Sequence, residues 1–292
     1  MLISEVIQRF KDYSSGVGFD TGKPIDDATT RDQVLYGNTD QECTGIVSCL
    51  WANADVIRRA QELGANLIIA HEALFWNHGD HQDFIADNKT YQAKRDLLDE
   101  WGGAVWRNHD YIHSRVPLEK DGSLVDGIFY GLAWKLGWLD YRVGDTAMSL
   151  DFEIPEISGR ELAEYLVEKL GLNGTRLIGD PNARVRRVHV PFHVMGVAAA
   201  DNAETCYADE HDVDCLMTME FIDFTTSEYI RDAGMLGQGK CAITIGHFNL
   251  EEPGMEYLPH WAAKAMGTDE IPVTFVPMGD TYQYVTRTAA VE

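Results

Sequence analysis

The 292-residue sequence predicts an α/β protein. Short apolar runs of strand length alternate with amphipathic segments of helix length, and glycines stand where the helical periodicity stops. A third observation bears on function: three of the apolar runs end in a histidine beside an acid.

The segments follow in order. Met1 to Ile7 spaces its apolar side chains as an amphipathic helix and lacks the basic head and cleavage site of a signal peptide. Gly45 to Trp51 reads as a buried strand, and Asn53 to Leu63 as a helix stopped by Gly64. Ala65 to Ala70 is the next strand, Thr90 to Trp101 a helix closed by Gly102-Gly103, and Ala104 to Trp106 a strand. Ser123 to Leu136 reads as a helix ended by Gly137, and Met148 to Ile154 as an alternating strand. Ser158-Gly159-Arg160-Glu161 has capping-box spacing and opens a helix to about Leu170. Strands are predicted at Val185–Val190, Val213–Met219, Ala242–Ile245 and Val273–Val276. Helices are predicted at Thr226–Ala233 and Met255–Met266, the latter containing Pro259. Asn173 to Asn182 is the loosest stretch.

Composition excludes more than it identifies. A net charge of −23 disfavours nucleic-acid backbones and anionic membranes as partners and is compatible with binding cations. No apolar run approaches the roughly 18 residues of a membrane span, so the expected location is the cytoplasm. The five cysteines form no C-x-x-C pair, which argues against a disulfide framework or a structural zinc knot.

The chemistry concentrates at three strand ends: "LIIAHE" to Glu72, "AVWRNHDYIH" to His113, and "AITIGHFNLEE" to Glu252. Ligands of α/β sheets bind beyond the carboxyl ends of the strands. If these ends are neighbours in one sheet, they converge His71, Glu72, His109, Asp110, His113, His247 and Glu251. Mixed imidazole and carboxylate donors suit zinc, iron, manganese or nickel, one ion or two. His109 and His113 are four apart, as are His247 and Glu251, so a helical turn places each pair on one face. The bland alternative is a hydrogen-bonded structural histidine at each strand end. His78 and His81 read either as a solvated loop or as an outer layer of the site. His189 and His193 read as structural, and His211 and His260 carry no functional claim. No G-x-S-x-G elbow and no strand–glycine–helix phosphate motif is present. Arg107 and Arg115 are the nearest candidates for holding a substrate phosphate.

The three clusters, in this order and spacing, resemble the NIF-three-like family of dinuclear metal-centre hexameric proteins, some members of which carry the description GTP cyclohydrolase I type 2. "VDCLMTMEF" resembles the family's Thr-Gly-Glu strand with Met219 in place of the glycine, and "DTYQYV" resembles its ending. The resemblance implies a two-domain α/β fold of mixed sheets flanked by helices. Residues 1–115 with 245–292 would form a metal-site domain around a middle domain at 116–244. It also implies a homohexamer. The family's paired histidine ligands fall on His71 and Glu72, its aspartate on His113, its last histidine on His247 and its glutamate on Glu251. Either a bridging role has moved to Glu72 or Glu251, or one ion binds.

Two functions follow as expectations. One is a metal-dependent hydrolase, acting on a small polar or nucleotide-like substrate through a metal-bound hydroxide, with His109 or Asp110 as general base or as a group orienting a ligand. The other is a non-catalytic metal-binding or regulatory assembly.

Overall fold

A computed structural model describes residues 1–19 and 21–286. In chain order the elements are α1 (Ile3–Tyr13), β1 (Val34–Tyr36), β2 (Ile46–Cys49), α2 (Ala54–Glu62), β3 (Leu67–Ala70), α3 (Lys89–Trp101), β4 (Ala104–Arg107), α4 (Asp110–His113), β5 (Val116–Pro117), β6 (Leu124–Val125) and α5 (Gly127–Lys135). They continue as β7 (Arg142–Val143), β8 (Asp151–Ser158), α6 (Gly159–Leu170), β9 (Arg176–Gly179), β10 (Arg184–His189), α7 (Ala198–Glu210), β11 (Cys215–Thr218) and α8 (Thr226–Met235). The chain closes with β12 (Cys241–Thr244), α9 (His247–Tyr257), α10 (Pro259–Met266) and β13 (Val273–Phe275). This is the α/β architecture of mixed sheets flanked by helices that the sequence predicts.

The chain divides into two compact units, Met1–Leu132 with Glu251–Met278, and Ala133–Leu250 with the segment from Gly279 onward. The dividing lines fall at 132/133, 250/251 and 278/279, where the sequence reading places two, at 115/116 and 244/245, and keeps the end of the chain with the first domain. The first unit contains a five-stranded sheet of order β1-β4-β3-β2-β13. Its four neighbours β4, β3, β2 and β13 are parallel, and β1 closes the edge antiparallel. Strands β2, β3 and β4 are buried along their whole length, as parallel strands covered by helices must be, which is why they read as apolar runs interrupted only by Ser48 and Arg107. Val56, Ile57 and Ala60 of α2 and Leu98 of α3 pack on Val47, Ile68 and Val105. Asn53 caps α2 by accepting the backbone N–H of Asp55 and Val56 at 3.0 and 2.9 Å, a cap contributing about 1 kcal/mol.

The second unit holds a six-stranded sheet of order β7-β8-β10-β11-β12-β9. Its centre β10-β11-β12 is parallel, with β8 and β9 antiparallel on the flanks. Leu216 and Ala242 of the sheet form a core with Ile230 of α8 and Ala208 of α7.

Four expectations are corrected. Leu124–Val125 is not the first turn of a helix but a strand paired with Val116–Pro117; the Glu119–Gly122 turn, in which the Gly122 N–H donates to the Glu119 carbonyl at 2.9 Å, lies inside the hairpin loop, and the helix starts only at Gly127. The helix expected from Met255 starts eight residues earlier at His247 and is broken before Pro259, which opens α10 at its first position, where a missing N–H costs nothing. The loose stretch 173–182 contains β9, an edge strand. Finally, β12 lies in the second sheet while β3 and β4 are neighbours in the first, so the three histidine-bearing strand ends do not share one sheet.

Candidate metal centre

In the first unit the chain reverses at the carboxyl ends of β3 and β4. His71 and Glu72 follow β3 directly, and their backbone N–H groups bond the Leu50 carbonyl at 3.0 and 2.8 Å. After β4, Asn108 continues the ladder to the Ala70 carbonyl, and the chain turns into α4. Asp32, itself buried, makes that turn: its carboxylate accepts the backbone N–H groups of His109, Asp110 and Tyr111 at 2.8, 2.7 and 2.8 Å. Burial pushes Asp32 up to about 6 despite those three bonds. His109 and His113 thus stand one helical turn apart, as their spacing predicts.

The imidazoles of His71, His109 and His113 meet. The His71 ring stacks on His109 at 4.6 Å between centroids, and His113 lies edge-on to both at 5.1 Å. Each of the three offers a ligand atom within 4.8 Å of the others'. Each ring also has its Nδ1 against an oxygen acceptor: the Asn108 carbonyl at 3.1 Å for His71, Asp110 at 3.0 Å for His109, and Asp126 at 2.7 Å for His113. A carbonyl or an ionised carboxylate only accepts, so Nδ1 carries the proton and Nε2 is the atom left to ligate. His71 Nε2 is buried without a hydrogen-bond partner and lies 3.5 Å from a Glu251 carboxylate oxygen. A buried polar atom so placed is costly unless something binds it. His71, Glu72 and Glu251 form a second overlapping group of the same kind.

Electrostatics separate the roles. Burial, helped by the neighbouring imidazoles, pushes His109 down to about 3 against the opposing Asp110 bond, so the ring is neutral. Burial would lower His113, but the charge and hydrogen bond of Asp126, with Glu251 behind them, outweigh it and raise the ring to about 9. Burial would likewise raise Asp110; hydrogen bonds from His109, the Arg31 backbone and the Thr30 hydroxyl hold it far below the usual range.

Of His109 and Asp110, read from sequence as a general base or as a group orienting a ligand, His109 stands in the histidine group and Asp110 lies 3.0 Å from its Nδ1. Glu72 is tied to the buried Arg107, whose Nη2 donates to it at 2.9 Å while Nε and Nη1 donate to the carbonyls of His71 and His78 at 3.1 and 2.6 Å. Arg107 is an internal anchor rather than a phosphate ligand. His78 lies at the edge, exposed, its ring 5.7 Å from His109 and bonded to Arg31; His81 is exposed in the loop. Glu251 falls on α9 in the first unit. His247 starts the same helix but belongs to the second unit, where it groups with His193 and Glu220. Sequence reasoning missed Asp32 and Asp126. Asp126 had a usable signal, a helix-capping aspartate before Gly127, accepting the N–H of Ile128 and Phe129 at 2.9 Å each; Asp32 had none.

Among the described residues no helix is long and apolar enough to cross a membrane, and all five cysteines are free thiols.

Residues 24–98 match the model of the family Duf34/NIF3 (NGG1p interacting factor 3). No curated protein matches the sequence. Among solved structures, the Bacillus cereus protein related to NIF3 superposes with a TM-score of 0.68 at 15% identity, covering 98% of this chain and 99% of that one. The hypothetical protein SA1388 of Staphylococcus aureus gives 0.67 at 17% identity over 98% and 99%. TTHA1606 from Thermus thermophilus gives 0.58 at 17% over 97% and 100%. The resemblance read from the strand-end clusters is thereby borne out: the chain carries the Duf34/NIF3 match over residues 24–98 and has the fold of a NIF3-related protein.

Proposed function

We propose that His71, His109, His113 and Glu251 hold a divalent transition-metal ion, and that this centre acts as a hydrolase on a small polar or nucleotide-like substrate. The observation that carries the metal reading is the protonation pattern. Three convergent imidazoles each have Nδ1 committed to an oxygen acceptor, and the His71 Nε2 is buried without a partner. Imidazole with one carboxylate is a donor set for zinc, iron, manganese or nickel. His71 has one nitrogen to give, because Nδ1 is taken, so the two overlapping donor groups that share it favour one ion in this unit. Glu72, held by Arg107, supports the loop and adds negative charge beside the ligands.

When bound, such an ion lowers the pKa of water toward neutrality and polarises a substrate oxygen. The residues do the rest. Asp110 and Asp126 fix the tautomers of His109 and His113, and Asp32 fixes the turn that carries both. His78 and Arg31, at the exposed edge, are placed to meet a polar substrate.

A non-catalytic metal-handling role is the second reading, and burial favours it: His71, His113 and Glu251 are 0, 6 and 4% exposed. The test is metal content of tag-free protein together with a screen of phosphoesters and nucleotides, with and without chelator. We expect hydrolysis that chelation abolishes and His113→Ala removes. Activity indifferent to both rejects the hydrolase, and metal binding with no activity supports the handling role. We also propose a homo-oligomer, for which a hexamer by light scattering is the expected result.

A further inference from the structure

His189, which the sequence reads as structural, is held between two carboxylates in the second unit. It ends β10, and its side chain is 10% exposed. On one side Nδ1 lies 2.7 Å from Asp151 Oδ1, at the start of β8. On the other, Nε2 lies 3.4 Å from Glu204 Oε2, in the middle of α7. An ionised carboxylate only accepts, so both contacts together require a proton on each nitrogen and the ring is an imidazolium. The Glu204 oxygen is buried and has no hydrogen bond, so the imidazolium charge is what offsets its burial.

The other elements around the ring add two titratable groups, both from α7 and its end. Tyr207 stands 4.4 Å from His189 between ring centroids, and its hydroxyl donates to the same Asp151 oxygen at 2.9 Å. His211 stacks 4.2 Å beyond Tyr207. Strand β11 sets Leu216 opposite His189, and β7 sets Val143 opposite Asp151, both apolar. Burial lowers the His189 ring, but the hydrogen bonds and charges of Asp151 and Glu204 outweigh it, and the net shift is upward from 6.5.

Helix α7 depends on such contacts. Among its described side chains only Asp201 and Ala208 are buried, so apolar area contributes little to its attachment. Near its start the Thr226 hydroxyl donates to the Asp201 carbonyl at 2.9 Å, and near its end Lys240 donates to the Ala208 carbonyl at 3.1 Å. Its middle is held through Glu204 and Tyr207. The helix also walls a cavity of about 410 Å³, lined by Val143, Asp151, Glu153 and Arg187 from the strands and by Tyr207 and His211 from the helix side.

We propose that His189 is a pH-operated clasp: with both nitrogens protonated it ties α7 to the start of β8 and closes the wall of this cavity, and loss of one proton releases the middle of the helix. The neutral ring keeps one donor for Asp151, and Glu204 is left buried without compensation until the helix moves and water reaches it. An upward shift means that the clasp's contribution is complete below 6.5 and drains as pH rises through the folded value. The clasp is closed in acid and opens in alkali.

The test is amide hydrogen exchange of the full chain from pH 6 to 9.5, expressed as protection relative to the intrinsic rate, beside a magnetic-resonance titration of the histidine rings. Protection over residues 198–210 should fall by up to about tenfold per pH unit above 6.5 until His189 is neutral, while β11 and β12 stay level. In His189→Gln that protection should be low and flat. Glu204 is 21% exposed, so Glu204→Gln provides a folded second variant, verified by circular dichroism; it should flatten the slope and lower the His189 midpoint. His211→Gln should keep the slope. A flat profile over α7 in the wild type, the wild-type slope persisting in His189→Gln, or a His189 midpoint at or below 6.5 overturns the clasp. A parallel loss in β11 and β12 also overturns it, since the whole unit would then be opening.

Discussion

Asp126→Asn tests the proposed centre at the atom that prepares it. The buried Asp126 carboxylate lies 2.7 Å from His113 Nδ1 and also caps α5 through Ile128 and Phe129. Asparagine keeps an oxygen for the two caps but cannot offer His113 an ionised acceptor. In the wild type His113 titrates at about 9 rather than 6.5, a preference for the protonated ring of about 3 kcal/mol shared by Asp126 and Glu251. A metal must displace that proton, so affinity should rise about tenfold per pH unit between pH 7 and 9, and binding at pH 7 should release about one proton from this ring. In the variant His113 moves back toward 6.5. The slope then flattens above neutrality and the proton release shrinks. At pH 9.5, where most of the competing proton is gone, the variant should bind about 10- to 100-fold more weakly for lack of its orienting carboxylate. Toward pH 7 that gap should narrow by up to about 100-fold, because the wild type alone still works against its proton. The assay is calorimetric titration of Zn²⁺ from pH 6.5 to 9.5, each point in two buffers of different ionisation enthalpy. Parallel pH curves for the two proteins, with equal proton release, would refute the assignment of Asp126.

Two further outcomes follow from the same environment. His109, neutral in the fold and pushed down to about 3, adds stability that is complete above 6.5 and drains as the unfolded chain takes up a proton between 6.5 and 3, at most about 5 kcal/mol. Asp32, pushed up to about 6, acts in the opposite sense between about 4 and 6. The difference between wild-type and His109→Asn denaturant midpoints, followed from pH 7 to 4 in metal-free protein, should therefore shrink on acidification; a constant difference rejects a buried neutral ring. Arg107→Met takes the guanidinium away from the buried Glu72 carboxylate and should cost about 3–5 kcal/mol. The double variant with Glu72→Gln should recover much of that, and equal losses in the single and double variants would sink the anchoring role.

The regular elements were legible where burial forces a simple pattern. Strands β2, β3 and β4 are buried throughout and apolar but for Ser48 and Arg107, and Ser158 and Glu161 announced α6 by a box that the fold completes with both bonds. Helix α7 carries Ala, Asp, Asn and Glu with weak periodicity, so nothing marked its buried side. Residues that organise the site from a distance were the least visible. Asp32 reaches its partners 77 to 79 positions along the chain, and local spacing holds no trace of such a contact. The proximity of His71 to His109 and His113 was readable because β3 and β4 are consecutive parallel strands. Membership of β12 in another sheet was not, since strand order is decided by pairing partners that sequence order does not specify.

The oxygen acceptors behind His71, His109 and His113 have a consequence for how the proposed ion would be acquired. Because they are protein groups, the nitrogen donors are oriented before any ion arrives, and the ordering entropy has been spent in folding. Loading then resembles filling a rigid chelator rather than closing a zinc finger, and stripping the ion should leave the tertiary structure standing. Such a centre takes its metal by supply and by Irving–Williams preference, so the ion it carries would report the pool in which the protein was loaded.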